Sequence, residues 1–188
     1  MRSRSLRAAG PRTFAAVAPV AAVLLAFAAA CDRILPQRVD HDLPPIEEIE
    51  AVYQRHGLVG EVEYNGNVVE LRTVQPSDQL RRGGSLWARV GPYIALFTPA
   101  TREVFSTWEG VAAARVITRT PDGDEVARAR LARDAMTDVR WRRSLNLLGH
   151  ALREGTERPT RLEDLVEWGE DHTEYRYNPE YVPRPGGG

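Results

Sequence analysis

An α+β fold is predicted for this chain from three observations. Apolar and charged residues alternate through much of the first two thirds, turn dipeptides separate the alternating runs, and the last third changes to helical spacing. The expected arrangement is antiparallel β-hairpins packed with an N-terminal helix and a C-terminal helical pair. The chain has 188 residues and a single cysteine, so one domain held by packing alone is expected over residues 46–182. Trp87, Trp108, Trp141 and Trp168 fall in four separate segments, and large aromatics spread in this way are expected to meet in one core.

Pro45 suits a first helical position, with Ile46, Ile49, Val52 and Tyr53 on one face and Gly57 as the stop. Val62 and Tyr64 then alternate with Glu61 and Glu63, Asn65-Gly66 turns the chain, and Val69 and Leu71 alternate with Glu70 and Arg72. Residues 75–84 read as loop. Residues 85–90 and 93–97 read as apolar runs broken by Gly91-Pro92. Two readings compete over residues 98–110. Thr98 as N-cap with Val104, Phe105 and Trp108 at helical spacing describes a short helix. A turn at Pro99–Arg102 followed by alternating Val104, Ser106 and Trp108 describes a hairpin, which two preceding extended runs favour. Residues 111–120 and 125–131 form a second hairpin about Pro121-Asp122-Gly123-Asp124. Trp141, Leu145, Leu148 and Leu152 make one stripe of a helix ending at Gly155. Thr160 and Glu163 read as a capping box, with Leu162, Leu165 and Val166 following and Gly169 as the stop. Residues 183–188 are expected to be a disordered tail.

The N-terminus carries an export pattern. Arg2, Arg4, Arg7 and Arg12 precede the mostly apolar run from Phe14 to Ala30, which closes on Ala28-Ala29-Ala30 directly before Cys31. The run is short, alanine-rich and interrupted by Pro19, unlike a spanning helix. Leu24 to Cys31 resembles the lipobox of bacterial lipoproteins, a likeness confined to residues 1–32. That resemblance implies a leader over residues 1–30 cut before Cys31, a diacylglycerol on the thiol, and a palmitate-type chain on the new amine. It implies a domain anchored on the periplasmic side of a bacterial membrane, inner or outer. Ala28 stands where leucine is most common, and Ala28-Ala29-Ala30 also satisfies the Ala-x-Ala rule of ordinary secretion. Both routes cut the same bond, and an uncut anchor is the third alternative. A lone thiol opening a secreted domain has no disulfide use, and two acyl chains suffice for stable anchoring. Residues 31–45, with Pro36, Pro44 and Pro45, read as an extended tether of roughly 40 Å.

Charge narrows the function. Removing residues 1–30 takes away four arginines and no acid, leaving 21 arginines against 26 acids. An acidic mature chain lacks the field that nucleic acid binding needs. Every basic residue is arginine, which excludes a Schiff-base lysine, a P-loop lysine and a Ser–Lys dyad. His41, His56, His150 and His172 show no metal-ligand spacing, no cofactor motif is present, and Asp122 to Glu125 reads as a turn rather than a cation loop. Arg115 and Arg119 alternate along one predicted strand, Arg128 and Arg130 along its partner, so four guanidiniums share a sheet face. Tyr175, Arg176, Tyr177 and Tyr181 add a tail of the composition favoured at interfaces.

The first reading is therefore a non-catalytic interaction protein, an accessory subunit of a membrane-bound or envelope complex. Its expected partner contacts are Arg115, Arg119, Arg128, Arg130, Tyr175, Arg176, Tyr177 and Tyr181. A second reading is a hydrolase using carboxylates between residues 163 and 174 with His172, which requires two acids to converge in a pocket. A third is a small-ligand or glycan-binding lipoprotein with Trp87 or Trp108 lining a groove.

Overall fold

The computed structural model describes residues 42–183. The leader, Cys31, most of the tether and the glycine-rich end lie outside the described residues. Helix α1 (Ile46–Arg55) follows Pro45 and buries Ile49, Val52 and Tyr53. The hairpin of β1 (Glu61–Asn65) and β2 (Val68–Val74) comes next. Its two-residue loop is Gly66-Asn67 rather than Asn65-Gly66, because Asn65 pairs with Val68 and Gly66 takes φ 62°. Glycine at the first central position is the type II′ solution, whose twist matches the strands.

Helix α2 (Ser77–Leu96) corrects the expected loop and extended runs. Gly83, Gly84, Gly91 and Pro92 disguise it. Gly84 adopts φ 55° and ψ −144°, a glycine-only conformation, so residues 77–83 form a short arm kinked from the rest. Beyond the kink, Ala88, Val90, Tyr93, Ala95 and Leu96 are buried, which removes the polar stripe that would have marked a helix. Helix α3 (Pro99–Thr107) decides the second ambiguity against the hairpin. Thr98 Oγ1 caps it by accepting from the Thr101 N–H at 3.4 Å.

Strands β3 (Ala113–Arg119) and β4 (Glu125–Ala132) form the expected second hairpin, with Gly123 at φ 98° in the turn. A 3₁₀ turn (Arg133–Ala135) leads to α4 (Asp138–Glu154), capped by Thr137. Its buried residues are Trp141, Ser144, Leu147, Leu148 and Ala151, so the stripe is rotated from the expected one; Leu145 is half-buried and Leu152 exposed. Helix α5 (Thr160–His172) has Pro159 at its N-cap and no side-chain cap, so the capping box does not form. It also runs through Gly169, because a Cβ there would sit 2.5 Å from the Tyr93 ring. Close helix packing, not helix termination, is what this glycine serves. Strand β5 (Glu174–Tyr177) completes the sheet.

The strand order is β1-β2-β3-β4-β5, antiparallel throughout except for β2 and β3. These two are parallel because α2 and α3 form the crossover between them. Val69, Leu71, Ala114, Val116, Ala129 and Leu131 line one face and join buried residues of all five helices in one cluster. Trp141 lies within that core and Trp87, Trp108 and Trp168 pack against it, as the sequence leads one to expect. Leu43 packs against the same core and the Tyr64 hydroxyl donates to the Pro44 carbonyl at 2.8 Å. The last residues of the tether thus belong to the domain.

Two outcomes follow for stability. Gly169→Ala is expected to cost about 1–3 kcal/mol by forcing the Tyr93 ring aside. Gly149→Ala, whose added carbon meets only the flexible end of Arg153, is expected to gain about 0.5–1 kcal/mol of helix propensity. Urea midpoints distinguish the two. The second outcome concerns alkaline pH. Burial pushes the Tyr53 phenol up to about 12 despite its hydrogen bond to Thr101, and burial raises Tyr93 and Tyr177 as well. The folded state therefore holds the neutral phenols while the unfolded chain loses those protons near pH 10. Stability is expected to be intact below about pH 10 and to fall between about pH 10 and 12. With no lysine in the chain, no side-chain amine titrates in that window. A Tyr53→Phe variant should show a shallower fall in urea midpoint across it.

Candidate functional site: the open sheet face

The sheet face turned away from the helices carries the other half of each alternating strand. Register places Glu63, Glu70, Arg115, Arg130 and Glu174 side by side in one row across β1 to β5. Glu61, Arg72, Ile117, Arg128 and Arg176 form the next row, followed by Val74, Arg119 and Glu125. Sequence alternation predicts that Arg115, Arg119, Arg128 and Arg130 share a face, and they do. Arg176 lies with them, directly across from Arg128.

Like charges stand opposite one another at Glu63–Glu70, Arg115–Arg130 and Arg128–Arg176, an arrangement that is unfavourable alone. Neighbouring opposite charges relieve most of it. Glu70, its side chain only 5% exposed, accepts from Arg72 at 2.6 Å and from Arg115 at 3.0 Å. Arg72 also pairs with Glu63, and that hydrogen bond holds the Glu63 carboxyl below the usual carboxylate range. Arg130 pairs with Glu174 at 3.0 Å, and Arg128 makes a forked pair with Glu125 at 2.6 and 2.8 Å. Arg119 and Arg176 have no acid within ion-pair distance among the described residues. The face is thus a charge mosaic with its unpaired cations at Arg119 of β3 and Arg176 of β5, rather than a uniformly basic surface. Arg115, Arg128, Arg130, Glu174 and Arg176 surround a shallow hollow of about 210 Å³.

The tyrosines expected beside these arginines are not on this face. Tyr175 and Tyr177 pair with Ala129 and Ala127, on the helix side of the sheet. Tyr175 is exposed at the edge, its ring tilted against that of Tyr177 with centroids 5.0 Å apart. The Tyr177 hydroxyl turns inward and donates to Glu170 Oε1 at 2.9 Å, while Tyr93 donates to it at 2.8 Å. Arg89 closes the network, donating to the same Glu170 oxygen at 2.6 and 3.2 Å. Tyr181 packs against a small satellite cluster of Ala88, Val126 and Ala127. A bulge in β4, where Thr118 pairs with Ala127 and Arg119 with Glu125, accommodates Val126 in that cluster. Alternation within β4 and β5 was the available signal for this division.

The acids of the proposed hydrolytic segment are dispersed. Glu163, Asp164, Glu167 and Asp171 are exposed along α5, and Glu174 pairs with Arg130. Glu170 is engaged with Arg89 and Tyr177. The His172 ring stacks on Trp168 at 3.8 Å, with Nδ1 2.9 Å from the Trp168 carbonyl oxygen. Trp168 Nε1 donates in turn to Ser144. This is the geometry of a solvated helix face with one inward salt bridge. No known family, no curated protein and no solved structure matches the chain.

Glu70 holds the mosaic together. Glu70→Ala leaves two partly buried guanidiniums without their shared acceptor and is expected to cost about 2 kcal/mol, seen as a lower urea midpoint at unchanged slope. Glu174→Ala removes a mostly exposed carboxylate and should cost under about 0.5 kcal/mol.

Proposed function

We propose that this protein is a membrane-tethered interaction module on the periplasmic side of a bacterial membrane, an accessory subunit that docks a protein partner of the envelope through its open sheet face. The observation carrying the reading is the mosaic itself: a solvated face on which Arg119 and Arg176 have no acid within ion-pair distance among the described residues. Planar guanidiniums held on a rigid sheet suit bidentate recognition of carboxylates. The fitting partner presents acidic side chains opposite Arg119 and Arg176. Long arginine stems supply contact area as well as charge. The lipobox-like sequence ending at Cys31 supports the membrane anchor, and the proline-bearing tether supports a body held away from the bilayer.

The test spares the residues that stabilise the fold. Arg176 is exposed and Arg128 half-buried, and neither touches a buried acid, so Arg128→Glu with Arg176→Glu should keep the circular dichroism spectrum and lower the urea midpoint only slightly, through loss of the Arg128–Glu125 pair. Recovery of the partner from detergent-solubilised membranes should drop at least tenfold with this pair. Partner recovery equal to the unaltered protein sinks the reading. Mass analysis of the first mature residue in the same preparation should find Cys31 carrying diacylglycerol, and Cys31→Ser should release the protein from membranes.

A further inference from the structure

On the helix side of the sheet, a separate cavity of about 250 Å³ lies between the ends of β2 and β3 and helix α2. Its lining includes Val59, Val74, Gln75, Trp87, Gly91 and Thr118. Val59 is 87% exposed and lines the cavity from its solvent side.

The polar feature is Gln75, which is 5% exposed. Its Nε2 donates to the Trp87 carbonyl at 2.7 Å, which fixes the orientation of the amide and leaves Oε1 as an acceptor. Oε1 lies 2.8 Å from the point that a Cβ on Gly91 would occupy, beside the Thr118 methyl, and has no hydrogen-bond partner. Gly91 and Thr118 both line the cavity, so the unpaired oxygen lies at its wall. The wall formed by Trp87 is set by the two glycines before it. Its indole lies over Gly83, where any Cβ would fall 1.2 Å from the ring, and Gly84 makes the turn that permits this approach.

We infer that this cavity binds a small, mostly apolar molecule carrying a single O–H or N–H donor, of the size of a phenol or an indole. The donor pairs with Gln75 Oε1 and the ring lies among Trp87, Val59 and Ile94. The volume suits one or two fused rings, since cavities near 150 Å³ already accommodate benzene. A buried acceptor makes the site selective for molecules that can supply the missing hydrogen, because a donorless analogue leaves it unpaired. This inference is independent of docking at the open sheet face.

Phenol and toluene are close in size and differ in the donor, so they serve as probes. Titrations of the full-length protein are followed by the indole N–H signals of its four tryptophans in nitrogen-labelled protein, with Trp87→Phe assigning the Trp87 signal. Phenol should shift the Trp87 signal while leaving Trp108, Trp141 and Trp168 in place, and should bind at least about tenfold more tightly than toluene. Gln75→Leu should abolish that preference. Val59→Asp, at a position too exposed to disturb folding, should weaken both probes. Absence of a Trp87 shift up to the solubility limit overturns the inference. So do equal affinities for the two probes in the unaltered protein, or a phenol preference that survives in Gln75→Leu. The unaltered protein and Val59→Asp keep the test decisive should Gln75→Leu fail to fold.

Discussion

The contact between the Tyr93 ring and the backbone of Gly169 sets the distance at which α2 and α5 meet, and the rest of the sheet's far edge follows from it. With no side chain at 169, Tyr93 reaches through to β5, where its hydroxyl meets that of Tyr177. Glu170, one residue on, is then placed to accept from Tyr177 and from Arg89 together. Burial works against the Arg89 charge, but the Glu170 carboxylate outweighs it and raises the guanidinium's affinity for its proton. A strand of four residues has little ladder to hold it, so this joint from below is what fastens β5 to the sheet. Through β5 it also fixes Glu174 and Arg176 on the opposite face.

The two faces of the sheet solve different physical problems with the same strands. One face is dry and its residues contribute area to a shared core. The other is wet, and its stability depends on the order of charges along each row. In the row of Glu63, Glu70, Arg115, Arg130 and Glu174, two like-charged neighbours at the centre are each flanked by an acid. Glu70 can be almost buried there because guanidiniums from two strands satisfy it. The second row lacks that symmetry and ends on two arginines, of which Arg128 is met by Glu125 from the neighbouring row and Arg176 has no acid within ion-pair distance among the described residues.

Much of the fold was legible because local signals agreed with tertiary demands. The first helix, both hairpins and the two C-terminal helices follow from alternation, turn residues and helical spacing. The reading failed where a residue's tertiary role overrode its local meaning. Gly169 is a helix stop in isolation and a packing window for Tyr93 in the fold. Gly83, Gly84, Gly91 and Pro92 look like loop, yet burial of α2 on several sides supports a helix through three of them and a kink at the fourth. In α4, the helix presents Ser144 to the core instead of Leu145 because Trp168 supplies it with a donor. The arginine face was readable from strand alternation, whereas Glu70 was seen only as half of a pattern. Its importance comes from the parallel neighbour β3, and the β2–β3 pairing depends on a crossover helix that local spacing concealed.

The bond from Tyr64 to the Pro44 carbonyl has a mechanical consequence. It stitches the incoming chain to β1, while the unpaired Arg176 sits across the sheet on β5, four strand spacings or about 19 Å away. In the proposed anchored state, rotation about the stitched point sweeps the binding edge through an arc rather than spinning it in place. Anchored as proposed, the body would act as a short crank, its reach set by the breadth of the sheet as well as by the tether.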